Sequence, residues 1–122
     1  MTDSSEQLHE ERGKLRPETL DRHRAIVSLR EELEAVDWYD QRVDVAGDTE
    51  LRGILAHNRD EEKEHASMLL EWLRRHDPVL NEMLKTYLFA EGAILEIEEA
   101  DTGDGRGEAG DGSLGIGSLR GA

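Results

Sequence analysis

The chain has 122 residues, enough for one small domain. Its net charge of -14 comes from 29 acidic against 15 basic side chains, which excludes the basic footprint that nucleic-acid phosphates require, and with no cysteine it can form no disulfide, thiolate zinc site or iron–sulfur cluster. No apolar run is long enough for a bilayer and the start lacks the apolar core of a secretory signal, so the expected location is the cytoplasm.

Residues 1–16 are polar and read as a flexible arm. Pro17 and Glu18 open a helix, since proline suits the first turn and an acid suits the positive helix end. The helix is expected to run to Ala46, with Gly47 ending it in a left-handed conformation. Asp48 or Thr49 caps a second helix that reaches about His76, where Asp77-Pro78 breaks it. A shorter third helix places Leu80, Met83, Leu84, Tyr87 and Leu88 on one face. Gly92 interrupts it, and Ile94 to Ala100 adds another turn. From Asp101 onward the composition changes: eight of the twelve glycines fall between Gly103 and Gly121, as in a flexible linker. The expected organisation is an arm over 1–16, a helical domain over 17–100, and a linker and tail over 101–122.

Two long helices joined by a tight turn cannot cover their own apolar stripes. The fold class is therefore all-α, a two-helix antiparallel hairpin with a short third helix. Two such hairpins are expected to pair into a four-helix bundle. On the first helix, Ala25, Leu29, Glu32, Val36, Tyr39 and Val43 share a face. On the second, Leu51, Leu55, Asn58, Glu62, His65, Leu69, Trp72 and His76 share another.

Both faces carry charge at mid-length. A buried carboxylate is unfavourable unless it is paired or bound to a metal. Taken singly, each of these groups fits a hydrogen-bonded cluster as well as a ligand. Taken together they match in level. Glu32 and Glu62 lie about 21 Å and about 20 Å from the turn at ~1.5 Å rise per residue. His65 follows one turn beyond Glu62. A bundle di-iron site takes one Glu from each of two helices and a Glu-x-x-His from each of the other two. One chain supplies half of that set and a two-fold dimer supplies all of it. The ligand count and the burial argument thus ask for the same dimer. Oxygen ligands with one imidazole per metal suit Fe(II), Mn(II) or Zn(II), and residue types alone do not choose among them.

At these residues the chain resembles the encapsulated ferritins. The resemblance runs from about Val27 to the C-terminus. It rests on Glu-Ala-Val-Asp-Trp-Tyr-Asp (Glu34 to Asp40), Asn-Arg-Asp-Glu-Glu-Lys-Glu-His (Asn58 to His65), Glu-Trp-Leu-Arg-Arg (Glu71 to Arg75) and Leu-Gly-Ile-Gly-Ser-Leu (Leu114 to Leu119). It implies that Glu32, Glu62 and His65 are ferroxidase ligands shared between two chains. It further implies oxidation of Fe(II) by dioxygen, a homodimer assembled into a ring, commonly a decamer, and storage inside a separate encapsulin shell. The implied location is the lumen of that nanocompartment.

Other residues carry secondary readings. Glu31 and Glu34 point away from the seam. They form either a solvated acidic face or, as the resemblance implies, a metal-transit site on the approach path, with Trp38 as a gate. His57, Glu61 and Glu64 share an exposed flank that either has no role or holds an outer metal, with calcium or zinc as in vitro occupants of such secondary sites. Tyr39 follows the seam beyond Glu32, where it either fills the core or supports a ligand by hydrogen bonding or electron transfer. In the tail, Leu114, Gly115, Ile116, Gly117, Ser118 and Leu119 resemble a shell-targeting peptide. Leu114 and Ile116 would project to one side of an extended strand. A linker over 101–113 would span roughly 20 Å as a coil.

The expected activity is that of a ferroxidase acting as encapsulin cargo, with neither nucleic acid nor membrane as partner. Two rivals remain: a metal-stabilised helical dimer that carries Fe(II) without turnover, and a structural adaptor that docks by its tail.

Overall fold

The computed structural model describes residues 7–102. A short 3-10 turn, Arg12–Lys14, precedes α1 (Pro17–Val45), α2 (Thr49–Arg75), α3 (Pro78–Tyr87) and α4 (Ile94–Asp101). No strand occurs among the described residues. The 3-10 turn is closed by the Lys14 and Leu15 amides, which donate to the carbonyls of Glu11 and Arg12.

Helix α1 begins at Pro17, with no side-chain cap on Arg16. Proline needs no amide partner there and its fixed φ already suits the helix. The other end differs from the sequence expectation. Ala46 turns to an extended conformation (φ -66°, ψ 128°), and Gly47 is not left-handed. The freed Ala46 carbonyl is instead taken by Arg52 of α2, whose Nε and Nη2 donate to it at 3.1 and 2.7 Å. A helix C-terminus carries unpaired carbonyls and partial negative charge, so a guanidinium is a favourable partner. Asp48, rather than Thr49, caps α2: its Oδ2 accepts from the Leu51 amide at 2.8 Å.

Helices α1 and α2 pack as an antiparallel hairpin that forms one compact unit through Pro78. Arg59 reaches across to Asp40 at 3.0 Å, and His65 reaches Glu32, so levels match with distance from the turn. Among the described residues, the buried ones are Ala25, Ala66 and Leu73. This corrects the face drawn for α2. The core centres on Ala66 and Leu73, while His65 and Trp72 lie at its margin and Leu51 and His76 are exposed. Alanines at the contact let two helices approach closely, so packing rotates the seam toward Ala66.

The hairpin leaves much apolar surface open. Ile26, Leu33, Trp38, Ile54 and Met68 are each more than half exposed. The α2 C-terminus ends in a stacked pair, with Trp72 and His76 ring centroids 3.9 Å apart. His76 Nδ1 lies 2.8 Å from the Trp72 carbonyl oxygen.

A second unit begins at Val79 and carries most of α3 and all of α4. The two helices are separated as expected at Gly92, whose φ of +98° suits glycine. Phe89, fully exposed, also adopts a positive φ of 61° just after α3.

Candidate metal centre

Glu32 stands at mid-length on α1. Glu62 and His65, three residues apart, stand on the facing side of α2. A spacing of three keeps the last two on one helical face, and the tight turn sets the level at which they meet Glu32. His65 Nδ1 lies 3.2 Å from Glu62 Oε1 and 3.6 Å from Glu32 Oε1. One ligand atom from each of the three residues can be chosen so that all lie within 4.8 Å of one another. All three side chains are half-buried.

Glu32 and Glu62 face each other closely enough to shift each other's titration in opposite directions. A hydrogen bond to Glu62, with burial and the Glu62 charge behind it, raises the Glu32 carboxyl above its ordinary value. The same hydrogen bond holds Glu62 below its own. His65 is raised, first by its contact with Glu62 and further by both acidic neighbours. The arrangement therefore concentrates negative charge against one imidazole. Two carboxylates and one imidazole at this separation fit a divalent ion of the Fe(II), Mn(II) or Zn(II) type, which would relieve the repulsion the protein otherwise carries.

Apart from Glu61, the secondary residues do not join this cluster. Glu31 and Trp38 are exposed on the side of α1 turned away from the seam, and Glu34 pairs with Arg30 at 3.5 Å. Tyr39 is half-buried, with the Arg42 guanidinium 5.3 Å from its ring centroid. Among the described residues its hydroxyl makes no hydrogen bond to Glu32, Glu62 or His65. The His57, Glu61 and Glu64 set divides. Glu61 lies 3.7 Å from His57, whereas Glu64 lines an open cleft with Met68, Glu71, Trp72 and Arg75. The reading made no use of the contact between Glu61 and His65, 4.0 Å apart, although their spacing of four signals it. The tail residues Leu114, Gly115, Ile116, Gly117, Ser118 and Leu119 lie outside the described residues.

The fold and the cluster together define an all-helical protein whose hairpin brings two carboxylates and one imidazole together in a group that could hold a metal ion. The match to known proteins is more specific. The EncFtn-like family model matches residues 7–91, and the chain belongs to that family. It is 62% identical to the encapsulated ferritin-like protein of Rhodospirillum rubrum, across 99% of this chain and 93% of the relative. It is 33% identical to the encapsulin nanocompartment cargo protein EncC of Myxococcus xanthus, across 61% of each. A crystal structure of a Nitrosomonas europaea protein, 62% identical, superposes with a TM-score of 0.69 over 71% of this chain and 96% of that one. Among the described residues, no helix is long and apolar enough to cross a membrane.

Proposed function

We propose that this protein is a ferroxidase, completed when two hairpins meet and pool their ligands into one di-iron site. The observation that carries the reading is the convergence of Glu32, Glu62 and His65 from two helices, half of a bundle di-iron set. A two-fold axis beside the cluster would double it and cover apolar side chains that the single hairpin leaves open. Glu32 and Glu62 would bind or bridge the metals, and each His65 would bind one. Fe(II) is the substrate, and each iron pair passes two electrons to dioxygen. The protein's own part is to hold the ligands at fixed separation in a partly dry seam. With a net charge of -14, the surface would draw cations toward it.

Further parts of the reading rest on the family. The dimers would assemble into a ring, commonly a decamer. The names of the relatives support a role as encapsulin cargo within the nanocompartment. Leu114 to Leu119, by their likeness to a shell-targeting peptide, would dock the protein there. Glu31, Glu34 and Trp38 would form an outer stop on the metal path. Tyr39, one to two turns beyond Glu32 on α1, would support the ligands. Calcium or zinc would occupy secondary sites in vitro.

The test is aerobic Fe(II) oxidation followed by absorbance and oxygen uptake, with Glu62→Ala alongside. Turnover lost in the variant, with assembly retained, is the expected result. Stoichiometric iron binding without oxygen uptake would replace the enzyme with a carrier.

A further inference from the structure

Glu61 stands between two histidines of its own helix. Its Oε2 lies 3.7 Å from His57 Nε2, and its Oε1 lies 4.0 Å from His65 Nε2. The spacing is four residues each way, so the three side chains stack along one flank of α2. The other nitrogen of the His65 ring, Nδ1, faces Glu62 at 3.2 Å and Glu32 at 3.6 Å. The imidazole is thus caught between the Glu32–Glu62 pair at Nδ1 and the single Glu61 carboxylate at Nε2.

That geometry sets up a contest for one proton. A neutral imidazole has one N–H and one lone pair, and only the lone pair binds a metal. Left to the Glu32–Glu62 pair alone, the ring would carry its proton on Nδ1 and donate it to Glu62. The nitrogen facing the cluster would then be blocked. A carboxylate at Nε2 tips the balance the other way.

We propose that Glu61 is a positioning residue for His65: it accepts the Nε2–H and so keeps the Nδ1 lone pair directed at the Glu32–Glu62 pair. The inference rests on those residues binding a divalent ion. The 4.0 Å separation is beyond hydrogen-bond length, and a small change in the Glu61 side-chain torsions closes it. Glu61 is about half exposed, which leaves its side chain room to turn. Carboxylates that hold the far nitrogen of a metal-bound histidine fix its tautomer and raise its basicity. His57 engages the second oxygen of Glu61 and helps keep the carboxylate on this flank.

The test uses the full chain, with 15N-labelled histidine, stripped by a chelator and held at a pH where His65 is neutral. Long-range 1H–15N spectra report which nitrogen carries the proton. The expected result is an Nε2–H ring in the parent and a shift toward Nδ1–H in Glu61→Ala. Glu61→Gln, whose amide oxygen still accepts, should lie between them. Titration with Co(II), followed by its visible absorption, should weaken by about 10-fold in Glu61→Ala. An unchanged tautomer and unchanged Co(II) affinity in Glu61→Ala overturn the proposal. So does loss of a separate outer ion in both Glu61→Ala and His57→Ala with the central affinity intact, because Glu61 is then an outer ligand. Glu62→Ala serves as the companion variant. If it leaves Co(II) binding intact, the di-iron reading fails, while the tautomer measurement still decides the role of Glu61.

Discussion

The two ends of the α1–α2 hairpin are held by different forces. The end far from the turn is held by burial: Ala25, Ala66 and Leu73, the buried residues among those described, all lie on that side or at the level of the cluster. The turn end is held by local polar bonds. Asp48 caps α2, Arg52 closes α1, and Arg59 pairs with Asp40. Its apolar residues Val45, Leu51 and Ile54 stay exposed. The Glu32, Glu62 and His65 cluster lies between these two regimes. One region is thus sensitive to side-chain volume and the other to individual hydrogen bonds.

The sharpest way to break that contrast is at Leu73. Truncation to alanine should destabilise the protein by about 2–3 kcal/mol in guanidinium unfolding. An equal loss in Val43→Ala, near the turn, would remove the distinction. Next comes the cap. Asp48→Ala leaves the Leu51 amide without its acceptor, and a loss of about 1 kcal/mol in the same assay is expected.

Between the two regions, the cluster should respond to pH. The Glu32 carboxyl is raised above its ordinary value, so its folded form favours the proton. That contribution is present in acid and is lost as pH rises from the ordinary value of 4.5 through the elevated one. Chelator-treated Glu32→Gln should therefore lose less stability than the parent across that rise, as read by thermal unfolding at successive pH values.

Glu71, on the far side, carries the opposite sign. Arg74 and Arg75 hold its carboxyl down at about 2, from an ordinary 4.5. Its contribution is present above 4.5 and fades as pH falls toward about 2. Glu71→Gln should flatten the acid limb of the stability profile in that window. The smallest effect is expected for Arg59→Gln, which breaks the cross-hairpin pair with Asp40. A loss well below that of Asp48→Ala is the forecast, and a loss as large as that of Leu73→Ala would show that the turn end depends on this single contact.

Much of this arrangement was legible in the sequence because a few residues punctuate it. Pro17, Asp48, Pro78 and Gly92 mark element boundaries by removing an amide, capping a helix or allowing a positive φ. Once the turn was placed, helical rise alone put Glu32 opposite Glu62. The closure of α1 was not legible. It depends on a guanidinium six residues away in sequence, and glycine after a helix usually signals a different ending. The centre of the core was also misplaced by one residue. Spacing identifies the stripe, whereas close approach at Ala25 and Ala66 decides where along it two helices touch. Glu61 appeared as part of an outer triad because His57 and Glu64 share its flank. Only the distances show that one of its oxygens faces His65 and that Glu64 turns to another cleft.

The Arg52 hook has a consequence for how the chain folds. It joins residues six apart in sequence, whereas the Arg59 bond joins residues nineteen apart and the Glu32–His65 contact spans further still. Loop-closure entropy rises with that separation, so closure outward from the turn is the least demanding order of events. On that route the Glu32 and Glu62 carboxylates meet only after the turn has locked, and their repulsion is placed late, where it has little leverage over whether the hairpin begins to form.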